Sequence, residues 1–565
     1  MTSIAARVCI LLALSGAGTV LAQSVTLPDP TPEIRRQELR QEQMRREQEI
    51  KPSVQLSAQE PFVAQRLPNE ETCSLINEVV FLGLPTLDTQ LANSLAGDGL
   101  KDSPIGRCLG VQGIEVLADR ARNALIANGY ITSRIEAATQ DLSTGRLLLK
   151  VIVGRIALID KGDGAAWIRH TAPLVSDEAL NLRDIEQSLE NLRRNPNIQA
   201  EFQLRPGARV DSSDVVLDYT RQHPLRGTLT LDDSGSSATG KHMAQGTLSW
   251  DSPLGLSDLA YLSSSHDVGQ HSDAPRGNES QTLHYSVPWG YWLMGATLSS
   301  SNYRQTIAGA FQSYLYSGQT QSRELQLGRV IHRDSDSKTS LQVKGFSRRS
   351  SNLIDDTEVL VQRRSMAGWE AALQHLRYWG QVNGDVQLSY KRGTGAFGAM
   401  TAPEELFGEG SSRMQVGTAV ANLQWPVAYG NRLTAAHYVK LQVNRTPLVP
   451  LDRMCLGGRY TVRGFDGRQN LCGDRGLLLR NDLILAVNGS MSTYFGVDYG
   501  RVGGRSAHDL PERSMSGSVL GLRGHHRMSQ DVQVQFEAFM GRHIAKPTSI
   551  SNDSTNTGMS LSLSF

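Results

Sequence analysis

The 565-residue chain contains no run of about twenty consecutive apolar residues, so a membrane-spanning helix is excluded. Excess charge is missing too: 57 Lys and Arg stand against 56 Asp and Glu, a balance that gives no electrostatic reason to expect nucleic acid as a partner. No Walker lysine, nucleophile elbow or H-E-x-x-H helix occurs, which leaves nucleotide hydrolysis, serine-hydrolase chemistry and zinc proteolysis without a centre. The stretch Gly393 to Gly398 fits G-x-G-x-x-G, but its turn-rich surroundings make it a loop, and His525-His526 has no ligand-spaced carboxylate or cysteine. Cysteine is scarce. With Cys9 in the amino-terminal apolar stretch, Cys73, Cys108, Cys455 and Cys472 remain. Four cysteines allow three pairings, and proximity favours Cys73 with Cys108 and Cys455 with Cys472. Neither pair forms a C-x-x-C knuckle, which argues against zinc; no catalytic residue, metal or cofactor is assigned.

What is present divides the chain into parts. Arg7, the apolar run Val8 to Leu14 and the small residue at the end of Val20-Leu21-Ala22 read as a cleavable leader over residues 1–22. Residues 23–50 include QELRQEQMRREQEI, a strong helix former whose apolar residues Ile34, Leu39, Met44 and Ile50 fall five or six apart. A helix from about Pro32 to Glu49 is expected, polar on every face. Such a helix is either a solvated arm or the occupant of a hydrated cavity. A polar linker follows over residues 51–72.

Two small α/β modules come next, over residues 73–153 and 154–223. The first has a strand near Leu75 to Phe81, a helix with Ile114, Leu117, Ala121 and Leu125 on one face, and a hairpin through Ile131 to Val153. The second has a strand from Arg155 to Asp160, a helix with Leu182, Ile185, Leu189 and Leu192 inward, and two alternating strands. Each leaves a sheet edge able to accept another chain's strand.

Over residues 224–565 helical periodicity gives way to short alternating segments such as Val532, Val534, Phe536, Ala538 and Met540 between Gly, Ser, Asn and Asp turns. A soluble sandwich alternates in the same way. Three features favour a membrane barrel. At roughly twenty residues per strand and loop, this length holds about 16 or 17 strands, in the porin range. Six of seven tryptophans (Trp250, Trp289, Trp292, Trp369, Trp379, Trp425) lie here, several near strand ends, as an interfacial girdle requires. The chain finishes Met559, Leu561, Leu563, Phe565 with serines between, and that last aromatic resembles the assembly signal of bacterial outer-membrane barrels.

The most specific stretch is CLGGRYTVRGFDGRQNLCGDRGLLLRNDL, residues 455–483. With the order of parts and the module segments GRCLG (106–110), QDLSTGRL (140–147) and DIEQSLENLRRNP (184–196), it resembles the outer-membrane transporters of two-partner secretion, the TpsB family, in the superfamily of the barrel insertase BamA. The resemblance covers the whole mature chain. It implies a mainly β fold: a transmembrane 16-stranded antiparallel β-barrel with two N-terminal POTRA modules in the periplasm and a lumenal plug helix. It also implies a lumenal loop, 444–476, whose Val-Arg-Gly-Tyr/Phe tip is matched by Val462, Arg463, Gly464 and Phe465, and a wall motif Phe-x-Gly-x-Asp matched by Phe495, Gly496 and Asp498.

The tip has a physical reading of its own. Arg463 is always charged, and an unpaired guanidinium in a protein-lined lumen is costly, so Asp498 is its expected partner. Gly464 permits a tight turn. A Cys455–Cys472 bridge would close an 18-residue loop around the tip. The function implied is export of a partner exoprotein of the TpsA type, a haemolysin, adhesin or contact-dependent inhibition toxin, bound by the POTRA modules and moved without nucleotide hydrolysis. Outer-membrane lipid and the barrel assembly machinery are the other expected partners, with no nucleic acid. The alternatives are a barrel insertase, opposed by the plug helix and the presence of only two modules, and an outer-membrane hydrolase, for which no nucleophile stands out.

Overall fold

The structure, a computed structural model, describes residues 29–49, 52–56, 65–97, 101–160, 168–269, 275–309, 311–428, 432–529, 531–550 and 555–565. The leader expected over 1–22 lies outside them. The first described element is the helix Thr31–Gln48, which has proline in its first turn and Arg45 and Arg46 in its last, each suited to that end.

In the first module, Arg146–Ile152 is the central strand, parallel to Glu78–Leu82 and antiparallel to Arg134–Glu136. Helix Val111–Ala127 buries Leu117 against Leu147 and Leu149 of that sheet. A separate ribbon, Ser74–Ile76 with Arg107–Leu109, carries the Cys73–Cys108 disulfide. The short helix Asp88–Ser94 has no counterpart in the sequence reading, because seven residues hold less than two full helical repeats.

The second module repeats the plan. Ser212–Arg221 is central, parallel to Arg155–Asp160 and antiparallel to Ile198–Pro206. Helix Leu182–Arg193 begins where the Asn181 side chain accepts a hydrogen bond from the Arg183 amide, and it buries Ile185, Leu189 and Leu192. Among the described residues Ile198–Pro206 pairs on one side only, so it is a sheet edge.

From Leu225 onward the strands close on themselves. Seventeen follow one another in the closed order, and one of these, Thr357–Glu358, is a two-residue addition to its neighbour, leaving a wall of sixteen. All neighbours are antiparallel, and Asn556–Ser564 returns to pair with Leu225–Asp232 over five residue pairs. That seam is lengthened by Gly227 and Phe565, which exchange backbone hydrogen bonds of 2.8 and 2.9 Å.

Side chains alternate across this wall as the period of two demands. Leu229, Leu231, Leu561 and Leu563 point outward, with Leu229 and Leu231 each 53% exposed. Thr230 and Ser562, between them in sequence, face inward and hydrogen-bond each other at 2.8 Å. The outer face is therefore greasy although the mean hydropathy is −0.31. Five tryptophans, at 250, 289, 292, 379 and 425, sit at or near strand ends on the rim beside the modules, where His170 of the second module lies 4.3 Å from the Trp289 ring. Trp369 sits apart, against Tyr390, higher on the wall.

Candidate functional site

The chain leaves the wall at Asn444 and rejoins it at Arg475, and the segment between folds back into the lumen. Two short strands, Met454–Leu456 and Leu471–Gly473, make its neck, with Cys455 opposite Cys472 and a disulfide joining them. Beyond the neck, Val462 is fully buried and Phe465 nearly so, in an apolar cluster with Leu456, Leu471, Leu478 and Val502. These two anchors fix the backbone on either side of Arg463.

Arg463 is 4% exposed, and its guanidinium donates to two wall carboxylates. Its Nε donates to Asp498 Oδ2 at 2.7 Å and its Nη2 to Asp498 Oδ1 at 2.7 Å, the two-pronged geometry that fits a planar cation. The Arg463 backbone amide adds a third bond to Asp498, 2.8 Å. Asp482 takes the other side of the guanidinium, from Nη2 at 2.5 Å and Nη1 at 3.3 Å. Two carboxylates against one cation leave an excess anion, and Arg480, directly across the ladder from Asp498, supplies the second cation. The Tyr494 ring lies 5.9 Å from the guanidinium, and its hydroxyl donates to Glu537 at 2.9 Å.

The tip lies flush on the wall because the wall lacks side chains there. A Cβ at Gly517 would stand 1.8 Å from the Arg463 carbonyl oxygen, and one at Gly496 would meet Asp482 at 2.3 Å and Arg463 Nη2 at 2.6 Å. Gly464 itself has φ +104°, a conformation L-residues rarely adopt, and a Cβ there would press on the Arg542 carbonyl at 2.5 Å.

One expected residue does not join this site. Phe495 is 51% exposed on the outer face, since adjacent residues of a strand point opposite ways. The aromatic in phase with Gly496 and Asp498 is Tyr494, which faces the lumen. Asp482 and Gly517 were absent from the sequence reading. The signal for Asp482 was there: Leu483 and Leu485 face outward, so period two puts Asp482 inside. For Gly517 the only hint is an isolated glycine in a strand. Of the other expected residues, Cys73 and Cys108 lie in the first module, and Phe565 lies at the seam with its ring where a Cβ on Gly227 would be, 2.4 Å away.

Helix Thr31–Gln48 lies within the barrel beside the loop and touches strands on several sides. Gln37 Nε2 donates to Asn278 Oδ1 at 2.9 Å, and the Arg40 guanidinium to Ser234 Oγ at 2.8 and 3.0 Å. Arg348 donates to Glu38 at 2.8 Å, and Ser249 to the Gln48 side-chain oxygen at 2.9 Å. Its apolar contacts are few: Ile34 against Tyr303 and Tyr316, and Met44 against Leu259 and Tyr261. The helix also grips the loop, through Arg35 on the Leu451 carbonyl at 2.8 Å and Arg36 on the Gly467 carbonyl at 2.7 Å.

Comparison with known proteins gives a consistent result. The family described as haemolysin secretion/activation protein ShlB/FhaC/HecB matches residues 211–524. A POTRA domain of the ShlB type matches residues 75–154 and a further POTRA domain residues 155–206. The outer membrane transporter CdiB-2 of Burkholderia pseudomallei is 32% identical over 468 residues, 81% of this chain and 79% of that protein. The hemolysin transporter protein ShlB of Serratia marcescens is 28% identical over 481 residues, 84% and 82% of the two chains. The solved structure of CdiB from Acinetobacter baumannii superposes with a TM-score of 0.83 at 28% identity, covering 96% of this chain and 100% of that one.

Proposed function

The chain belongs to the haemolysin secretion/activation family ShlB/FhaC/HecB, and we propose how it works as an outer-membrane transporter of two-partner secretion. The two POTRA modules, on the periplasmic side, capture the amino-terminal secretion domain of an unfolded exoprotein of the TpsA type, in part by adding its strand to the free edge of Ile198–Pro206. The lumenal helix then leaves, the Arg463 loop guards or reshapes the cleared lumen, and the exoprotein threads outward as an extended chain. No nucleotide is hydrolysed, and folding of the cargo outside the cell supplies direction. The terminal strand with Phe565 addresses the barrel to its assembly machinery, and the outer leucine rows take up lipid.

The observation that carries this reading is how the helix is held. Among the described residues it makes no backbone pairing with the wall, only side-chain contacts, most of them polar. Each such bond is exchanged for one to water when the helix moves into a hydrated space, at a net cost of about 0.5–1.5 kcal/mol for a neutral pair and about 1.5–3 kcal/mol where a charged group takes part, as in Arg348 with Glu38. Eighteen residues at 1.5 Å give roughly 27 Å, close to the ~25 Å apolar band of such barrels, so the helix fills the channel lengthwise. Deleting residues 23–50 is expected to raise conductance severalfold in planar bilayers; an unchanged conductance overturns the plug.

A further inference from the structure

Between the helix and the first module, residues 52–56 cross the second module and are built into it. Val54 is 5% exposed and is part of the apolar core that holds Ile185 and Leu189, with Leu56 packed on that core; Ser53 and Gln55 face out. The backbone is held as well. The Val54 amide donates to Glu190 Oε1 at 3.0 Å and the Leu56 amide to Glu186 Oε1 at 2.9 Å, two carboxylates one helical turn apart, while Arg333 of the barrel rim donates to the Val54 carbonyl at 2.9 Å.

These contacts define what the surface recognises. In an extended chain, residues i and i+2 present their side chains on one face and their amides on one edge. The surface of the module thus reads two aliphatic side chains spaced by one polar residue that turns away from it, plus bare backbone; in this segment that residue, Gln55, reaches the barrel rim instead, where its Nε2 donates to the Ser335 carbonyl at 3.1 Å. An unfolded β-forming polypeptide offers that pattern repeatedly.

We infer that this surface is a docking site for an extended aliphatic-polar-aliphatic segment of the exported exoprotein, filled in the resting transporter by the chain's own residues 53–56. The inference rests on the export reading above. Five residues separate Gln48, at the helix end, from Val54, six Cα-to-Cα steps with a reach of at most about 20 Å, so lifting the segment off the second module slackens the tether of the helix. Cargo docking and helix retention then exclude each other, and the coupling is reciprocal: loosening the segment tightens cargo binding.

The test uses the detergent-solubilised full chain and a fluorescent peptide KPSVQLSA, the sequence of residues 51–58. The double variant Val54→Ser, Leu56→Ser, whose own segment has lost its grip, is expected to bind the peptide at least tenfold more tightly than the wild type. Gln55→Ala, which keeps both aliphatic groups and gives up only the exposed bond to Ser335, should stay much closer to the wild type than to the double variant, and the purified amino-terminal secretion domain of the exoprotein should displace the peptide. Equal affinity of wild type and double variant, binding by Gln55→Ala as tight as that of the double variant, or a peptide that stays bound under excess exoprotein domain overturns the inference. Export of the exoprotein by wild-type cells is scored separately: intact export without displacement removes this inference alone, whereas absent export removes the reading it rests on.

Discussion

The helix Thr31–Gln48 and the loop tip at Arg463 share one lumen but are fastened in opposite ways. The tip is set by burial: two apolar anchors, a disulfide at its neck, a guanidinium sealed between Asp498 and Asp482, and glycines that let it lie against the wall. Each of these is expensive to undo, because the partner left behind is buried and unpaired. The helix is set mainly by hydrogen bonds of single side chains, with Gln37 and Arg40 as buried as Arg463 while it is seated, but without a disulfide or a guanidinium held between two carboxylates. On the proposed function, one polar lumen then holds one segment permanently and another provisionally.

Breaking the tip should have the largest effect. Asp498→Ala leaves a buried guanidinium short of its main partner, a loss of about 3–5 kcal/mol, and Arg463→Ala removes the group itself. Export of the exoprotein into the medium should fall by orders of magnitude in both while the heat-dependent electrophoretic shift of a folded barrel persists; wild-type export would remove the tip from the mechanism. Asp482→Asn should cost less, since that side chain is 24% exposed. Gly517→Val comes next: its Cβ must displace the Arg463 carbonyl, at about 1–3 kcal/mol, and protease cleavage within the loop of barrels in vesicles should rise.

On the provisional side, Gln37→Ala gives up the bond to Asn278 for about 1 kcal/mol and should make open-channel events roughly fivefold more frequent in single-channel recordings. An effect on conductance as large as that of deleting the helix would erase the contrast between the two segments.

The smallest effect concerns the dock of the second module on the rim. Burial works to raise the Glu190 carboxyl, but the hydrogen bond and charge of Arg333, the charge of Lys338 and the Val54 amide outweigh it and hold the group below its usual range. A depressed folded value means the stabilisation is present above the ordinary carboxylate pKa of about 4.3 and is lost as pH falls through the lower folded value. Spin-label distances between the second module and the barrel should broaden only under such acid conditions, and Glu190→Gln should show the broadened distribution at neutral pH with no acid transition.

The sequence carries much of the fold because its periods recur: short alternating segments repeated through residues 225–565 mark the wall, and the 3.6-residue spacing of Leu182, Ile185, Leu189 and Leu192 marks a helix. Alternation also fixes parity, which is why Asp482 and Tyr494 were readable as lumenal and Phe495 as outward once the phase of each strand is followed. It does not reveal which rows of different strands meet a returning loop. Gly517 matters through that meeting, as does the seating of Val54 on a module it precedes by about a hundred residues, so neither is legible from local pattern, whereas Gly496 was reached through its motif.

The uneven placement of the tryptophans has a mechanical consequence. Indole rings anchor a protein at a headgroup layer, and here five of them grip one leaflet, the one beside the modules. A bilayer that thickens or thins must then be accommodated at the opposite leaflet. The distance of the two modules from the periplasmic surface is then expected to change little from one lipid composition to another.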